Sequence, residues 1–440
     1  MQTINYNGKD IPVTATADVV VTGGGPGGVC AAVSAARHGA DTVLVERYGA
    51  PGGMASFGEV SPMMPNHACG RSLNAGIYME ICRRMWTYLP PAQRSAPYDP
   101  ELVDYHPRLI DKNAAMLTME DLCLESGVKL LFHHTLVDVI KAEDDTIRAG
   151  VFVSKSGLSA ITGKVFIDST GDGDLAAMAG CETRFGNCEG LCQPMTLCFK
   201  LQDIDREKFP DRTTLNKLYD QAKADGTVEC PRENILYFET FDRDCLHFNT
   251  TRIIRKSGIS GTDLSQAEIE GRRQLRQLLN FFRERVPGCR EAKIASIAHH
   301  IGIRESRRIV GEIFQTQEDF FACRKYDDAI AKVHYFIDIH NPAGSGTTCH
   351  HLPDNEYYEL SYRAILPKHT TNLLMGCRAI SVDHELHSSM RIMPPVCAIG
   401  EAAGCAAAMA VKENISLRQI DGTKLNAALY AAGAFPDLEK

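Results

Sequence analysis

The sequence predicts an α/β fold: a doubly wound, mostly parallel sheet interrupted by an inserted α+β domain. Three observations support this. A β-branched run, Asp18-Val19-Val20-Val21-Thr22, leads straight into a glycine turn and a helix of small residues, and strands alternating with helices imply a parallel sheet. Two later apolar runs, Val165-Phe166-Ile167-Asp168 and 372–381, read as further strands of that sheet. From about 185 to 364 the pattern changes to charged helical stretches, 264–286 among them, alternating with irregular proline-containing segments.

The chain has 440 residues, long for one core of roughly 100–200 residues. Residues 1–60, 106–184 and 365–440 are expected to build the sheet, 61–105 an excursion from it, and 185–364 the inserted domain. Hydrophobic residues at 44% and charged residues at 23% suit a globular protein. No apolar run reaches the roughly 18–20 residues that span a bilayer, and the N-terminus lacks a signal-peptide layout. A cytoplasmic chain is expected. The formal charge of −8 disfavours nucleic acid and anionic membrane as partners. The 16 cysteines are scattered without a Cys-x-x-Cys pair, so they read as reduced small hydrophobes.

The first strand meets Gly23-Gly24-Gly25-Pro26-Gly27-Gly28, in which Gly23, Gly25 and Gly28 complete G-x-G-x-x-G. Gly23 permits the tight turn, Gly25 lets a pyrophosphate approach the backbone, and Gly28 lets helix and strand pack closely. The helix that follows, Val29 to His38, offers its N-terminal N–H groups to phosphate. A second strand, Thr42-Val43-Leu44-Val45, ends on Glu46, where a carboxylate accepts hydrogen bonds from ribose hydroxyls and repels a 2′-phosphate. A bare glycine motif is weak; strand, motif, helix, strand and acid in register are strong.

Glu46-Arg47 followed by Gly52-Gly53-Met54-Ala55 resembles the start of the glutathione-reductase-type flavoproteins, and most of all the FAD-dependent oxidoreductase family related to fumarate-reductase flavoproteins. The resemblance implies an FAD-binding Rossmann-like sheet with a cap or substrate domain, and places Glu46, Arg47, Gly53 and Met54 beside FAD. It also implies adenine against the backbone near Val137, and FAD against the turn Thr170-Gly171-Asp172-Gly173-Asp174. Flavoproteins of the fumarate-reductase type can attach FAD to a histidine before the Gly-Gly pair. Here Tyr48-Gly49-Ala50-Pro51 holds none, so the cofactor is expected to be noncovalent.

Residues 109–126 read as an amphipathic helix ended by Gly127, followed by strands 128–132 and 136–140. The loop from Asp168 approaches calcium-ligand spacing, but its twelfth position is Ala179 and a strand precedes it, so calcium is excluded. Asp383-His384-Glu385-Leu386-His387 is one residue short of H-E-x-x-H and is no zinc site; no metal is expected. His299-His300 precede the basic cluster Arg304, Arg307 and Arg308. Arg307 and Arg308 are expected to pair with Glu305, Glu312 and carbonyls, whereas His300 and Arg304 stay open between structural and ligand-binding roles. There is no second G-x-G-x-x-G, so electrons pass to or from a substrate, oxygen, a quinone or another protein.

The C-terminal strand, then Arg391-Ile392-Met393-Pro394-Pro395 opening a helix from Val396 to about Val411, completes the resemblance from residue 18 to about 410. Gly400, Ala403, Gly404 and Ala407 suit close approach to another backbone, and Glu401 argues against a membrane role. In the family this helix N-terminus points at the flavin, which places Arg391 and Met393 near the ring. The expected activity is hydride transfer between a small organic substrate and FAD. His387 and His300 are the first choices for the proton partner, with Arg304 or Arg391 as anion clamp. The rival reading is a non-redox NAD- or FAD-binding protein of the same fold, such as a thiazole-synthase-like transferase or an RNA modifier. Substrate identity, reaction direction, electron partner and oligomeric state stay open.

Overall fold

The structure is a computed structural model that describes residues 2–94 and 109–436. The 95–108 stretch of the expected excursion and second sheet segment lies outside them.

A short strand β1 (Thr3–Tyr6) folds back antiparallel onto β2 (Lys9–Thr22). Val19, Val20 and Val21 of β2 are fully buried, as expected of a strand covered on both faces. The chain then enters α1 (Pro26–Arg37), whose proline sits in the first turn, where a missing N–H costs nothing. Next come β3 (Thr42–Val45), α2 (Gly76–Thr87) and α3 (Lys112–Glu125). Helix α3 is shorter than the expected 109–126 because Asp111 caps it, accepting from the N–H groups of Asn113 and Ala114 at 3.0 and 2.8 Å.

Strands β4 (Lys129–Leu131), β5 (Thr135–Lys141), β6 (Ile147–Ser154) and β7 (Gly157–Asp168) follow. The sheet runs β4-β3-β2-β7-β6-β5. Pairing is parallel from β4 to β7 and antiparallel through β6 and β5. The sheet is therefore mixed rather than mostly parallel, because β7 is long enough to serve two partners in succession. Its first half carries β6, and its second half carries the last strand of the chain.

Residues beyond 190 form a second, antiparallel sheet of β8 (Phe199–Gln202), β9 (Tyr237–Glu239), β10 (Leu246–Phe248) and β11 (Lys293–Ile297), in the order β9-β10-β8-β11. Helices α4 (Arg212–Ala224) and α5 (Gly261–Arg285) supply Leu215, Tyr219, Leu278, Phe281 and Phe282 to the hydrophobic cluster beneath it. A hairpin of β12 (Ile337–His340) and β13 (Thr347–His350) follows. The chain then returns to the main sheet as β14 (Leu373–Met375), parallel to β7. This strand covers only part of the expected 372–381 run, which turns away after Met375.

Two helices end the core: α6 (His384–Met390) and α7 (Met393–Glu413). At 21 residues, α7 is longer than expected and apolar enough to meet a membrane-span criterion by length and composition, which corrects the length argument made from sequence. Its apolarity has a packing cause, since 89% of that stretch is buried inside the fold. A Cβ on Gly400 would lie 1.9 Å from the Gly27 carbonyl oxygen, and one on Gly404 2.1 Å from that of Ala31. Glycine is thus required for α7 to cross α1. All sixteen cysteines are free.

Candidate functional site

The C-terminal ends of β2, β3 and β7 open on one cavity with about 1090 Å³ of empty space, the place where parallel α/β sheets bind ligands. Gly23 turns the chain there with φ +101°, and a Cβ would sit 2.3 Å from the Ser169 carbonyl oxygen; no other residue fits. Helix α1 starts at the cavity without a side-chain cap on its N-terminus, leaving its first N–H groups free for an external acceptor.

Glu46 closes the far side. It is buried, and its Oε2 accepts from the Gly24 N–H at 2.6 Å while Oε1 accepts from the Tyr48 N–H at 2.9 Å. Each oxygen keeps lone-pair capacity for a further donor. The Arg47 guanidinium lies 4.8 Å above the Tyr48 ring, which stacks on His300 at 5.4 Å and meets Phe57 at 4.5 Å.

Asp168 builds the third wall. Burial pushes its carboxyl up to about 6 against the hydrogen bonds it accepts. Those bonds come from the Thr170 N–H and Oγ1 and from the Ala176 N–H, and they fix the turn that follows. The other acids of this turn are engaged by cations: Asp172 by Arg378 at 2.6 Å and Asp174 by Arg307 at 2.8 Å. Arg308 donates to the Gly186 carbonyl at 2.6 Å and lies 3.7 Å from Glu305. Glu312 is paired instead with Arg418.

The residues expected at a cofactor converge on this cavity: Gly23, Gly25, Pro26, Gly27, Gly28, Glu46, Arg47, Gly53, Met54, Thr170, Gly171, Asp174, Arg391 and Met393 all line it. Val137 does not. It is the extra residue where the β5–β6 register shifts, a bulge, and it is 38% exposed; Thr135 and Leu136 form the wall in its place.

A second cavity, with about 1530 Å³ of empty space, adjoins the first. Met54, Ile303, Arg378, Arg391 and Met393 belong to both linings. Its apolar walls include Val60, Pro62, Leu236 and Phe336, and its polar groups are Arg232, Arg304, Asp338 and His340 among others. Arg304 donates to Thr196 Oγ1 at 3.1 Å and Asn249 Oδ1 at 3.0 Å. Burial, then the neighbouring charges of Arg391 and Arg232, pull its pKa down to about 9.

The expected catalytic residues separate. Arg391 stands at the junction and Arg304 in the second cavity. His300 belongs to the first cavity, with Nδ1 2.9 Å from its neighbour's carbonyl oxygen at Ile301. Burial lowers its pKa. His387 lines neither cavity: it is fully buried, and neither ring nitrogen has a hydrogen-bond partner. Burial, then Arg308 and Arg391, holds it well below the ordinary histidine range. It is corrected from proton partner to neutral core residue, because α6 turns that side of the helix inward.

His340, unnoticed in the sequence, does line the second cavity. Its Nδ1 lies 3.0 Å from an Arg252 nitrogen; a guanidinium only donates, so Nδ1 accepts and the proton sits on Nε2. That nitrogen faces Asp338 Oδ2 at 3.5 Å. Burial, then Arg304, takes His340 down to about 3, so it is neutral at pH 7. Burial pushes Asp338 up, but its bond to His340 with the nearby Arg391 and Arg304 outweighs this and keeps it ionised.

An uncapped helix terminus behind a glycine turn and a buried acid at the end of β3, with a second cavity joined to the first, define a dinucleotide-binding α/β protein. The chain belongs to the FAD dependent oxidoreductase family, whose model matches residues 18–429, and FAD is its cofactor. It is also similar to solved structures. One is a geranylgeranyl bacteriochlorophyll reductase-like protein from Thermoplasma acidophilum (13% identity, TM-score 0.47, 95% of this chain and 84% of that one). Others are the L-proline dehydrogenase from P. horikoshii (12%, 0.42, 95% and 99%) and a myxobacterial chondrochloren halogenase (14%, 0.44, 94% and 78%). No curated protein matches the chain.

Proposed function

We propose that the first cavity holds FAD and that the second holds a small organic molecule exchanging a hydride with it. The observation that supports this most is the wall of Met54, Ile303, Arg378, Arg391 and Met393 common to the two cavities. The free N–H groups of α1 would take the pyrophosphate, Glu46 the adenosine ribose, and Thr170, Gly171 and Asp174 the opposite side. Bound FAD supplies acceptance and donation of a hydride at flavin N5. Arg391 and Met393, at the start of α7, bring a positive helix end to the junction, which suits a cofactor that gains negative charge on reduction. The unit built on β8–β11 and α5 serves as the cap that encloses the substrate. Asp338, aligned by His340 Nε2–H, keeps an anionic oxygen facing the substrate.

Anaerobic mixing with a panel of small alcohols, amines, acids and enones, read as bleaching of the flavin band, tests the proposal. A member of the panel should bleach the wild type. Leu236→Trp, which fills part of the second cavity away from the cofactor cavity, should retain FAD yet lose at least about tenfold in bleaching rate. Equal rates in the two proteins would refute the second cavity as the place of the reacting molecule.

A further inference from the structure

The second cavity carries more positive charge than its own acids balance. Six ionised groups line it, and the partners of each can be followed. Arg378 is neutralised by Asp172 at 2.6 Å, and Glu233 by the buried Arg252 at 2.9 Å. Arg232, Arg304 and Arg391 have no such partner: among the described residues no carboxylate forms an ion pair with any of them. Arg304 donates only to the neutral Thr196 and Asn249, Arg391 to Gln193 at 3.2 Å, and Arg232 to Asn234 at 3.5 Å. The Nε atoms of Arg304 and Arg391 are buried with no acceptor at all. Against these three cations stands one unpaired acid, Asp338, whose neighbour is the neutral His340.

Three buried guanidinium groups sharing one carboxylate are costly, and the arrangement is relieved by an anion that enters with the substrate. A guanidinium fork matches the plane of a carboxylate and can bond it bidentately. The walls contributed by Val60, Pro62, Leu236, Phe238 and Phe336 are apolar, so the rest of the ligand is hydrocarbon. Asp338 in the same cavity disfavours a ligand with a second negative charge.

We infer that the substrate is a monocarboxylate with an apolar body, its carboxylate held by Arg304 with Arg391 and Arg232 alongside. This rests on the second cavity being the substrate cavity. Titration calorimetry of the FAD-loaded protein with sodium hexanoate, hexanamide and inorganic phosphate, at one ionic strength, tests the charge requirement. The visible flavin band followed in the same titrations tests the cavity's place beside the cofactor. Hexanoate should bind at least about tenfold more tightly than hexanamide and shift the flavin band. Arg304→Met should lose about tenfold or more in hexanoate affinity at unchanged FAD content; Arg232→Gln takes its place if that variant loses FAD. Equal affinity for acid and amide, no binding of either, or tighter binding of inorganic phosphate than of hexanoate would each overturn the carboxylate inference without touching the hydride-transfer proposal. Selective hexanoate binding that leaves the flavin band unmoved would support the carboxylate and overturn the substrate cavity.

Discussion

Glu46 shows how one side chain serves two ends. Its two oxygens accept from the N–H groups of Gly24 and Tyr48, so it ties the glycine turn to the end of β3 before any ribose arrives. In Glu46→Gln one amide nitrogen faces a backbone donor, and a buried unmatched donor costs about 1–3 kcal/mol. The apoprotein variant should therefore bind FAD at least about tenfold more weakly, read by quenching of free flavin fluorescence; unchanged affinity would remove Glu46 from the site. Arg304 is the cation least favoured by its surroundings: burial, then Arg391 and Arg232, draw its pKa down, with Asp338 and Cys198 acting in the opposite sense. It nevertheless stays ionised, because a guanidinium is not deprotonated in proteins, and an incoming anion relieves the crowding.

The same scale separates what was legible in the sequence. Gly23 to Gly28, Glu46 and Arg47 are neighbours along the chain, so their spacing alone places them at one cavity. Arg232 comes from a segment far from Asp338 and His340, which stand two apart on β12; the three meet only through folding, and no local pattern marks them. The place of His387 is not legible, because closeness to Arg391 in sequence says nothing about which side of α6 faces the core. The fully buried ring with both nitrogens unpartnered is a property of the packing, not of the motif.

Among elements, the crossing of α1 and α7 sets how near the two halves of the site approach. Alanine at Gly400 would drive a methyl into the Gly27 carbonyl oxygen, and the overpacking should cost about 1–3 kcal/mol. The expected outcome is a lower Tm together with loss of FAD, since Gly27 stands at the start of α1. Helix α7 also ties down α2, whose Ile77 N–H donates to Glu401 Oε2 at 3.1 Å. Burial pushes the Glu401 carboxyl from its ordinary 4.5 up to about 7. Because the folded state holds that proton more tightly, the contribution of Glu401 to stability is full below about 4.5 and falls as pH rises toward about 7. Glu401→Gln keeps the acceptor and removes the titration, so its stability relative to wild type should rise across this window in denaturant melts. A constant difference would show that Glu401 does not titrate there. Element boundaries were read less well than element order, because caps such as Asp111 and the turn after Met375 depend on single residues and tertiary contacts.

In the molecule as a whole, one main sheet presents a cofactor cavity, and a second sheet encloses another cavity beside it. The βαβ start was legible because its parts are local and repeat a known physical design. The mixed pairing of the main sheet was not, since it arises from β7 serving β6 and β14 in turn, a long-range matter. The most direct measurement is the visible spectrum of the purified protein before and after dithionite, followed by acid release of the chromophore. Flavin bands should bleach on reduction and FAD should leave the denatured chain, as expected where Tyr48-Gly49-Ala50-Pro51 offers no histidine for attachment. A colourless protein that releases NAD or nothing, or flavin that stays with the polypeptide after acid, would contradict a noncovalent FAD enzyme.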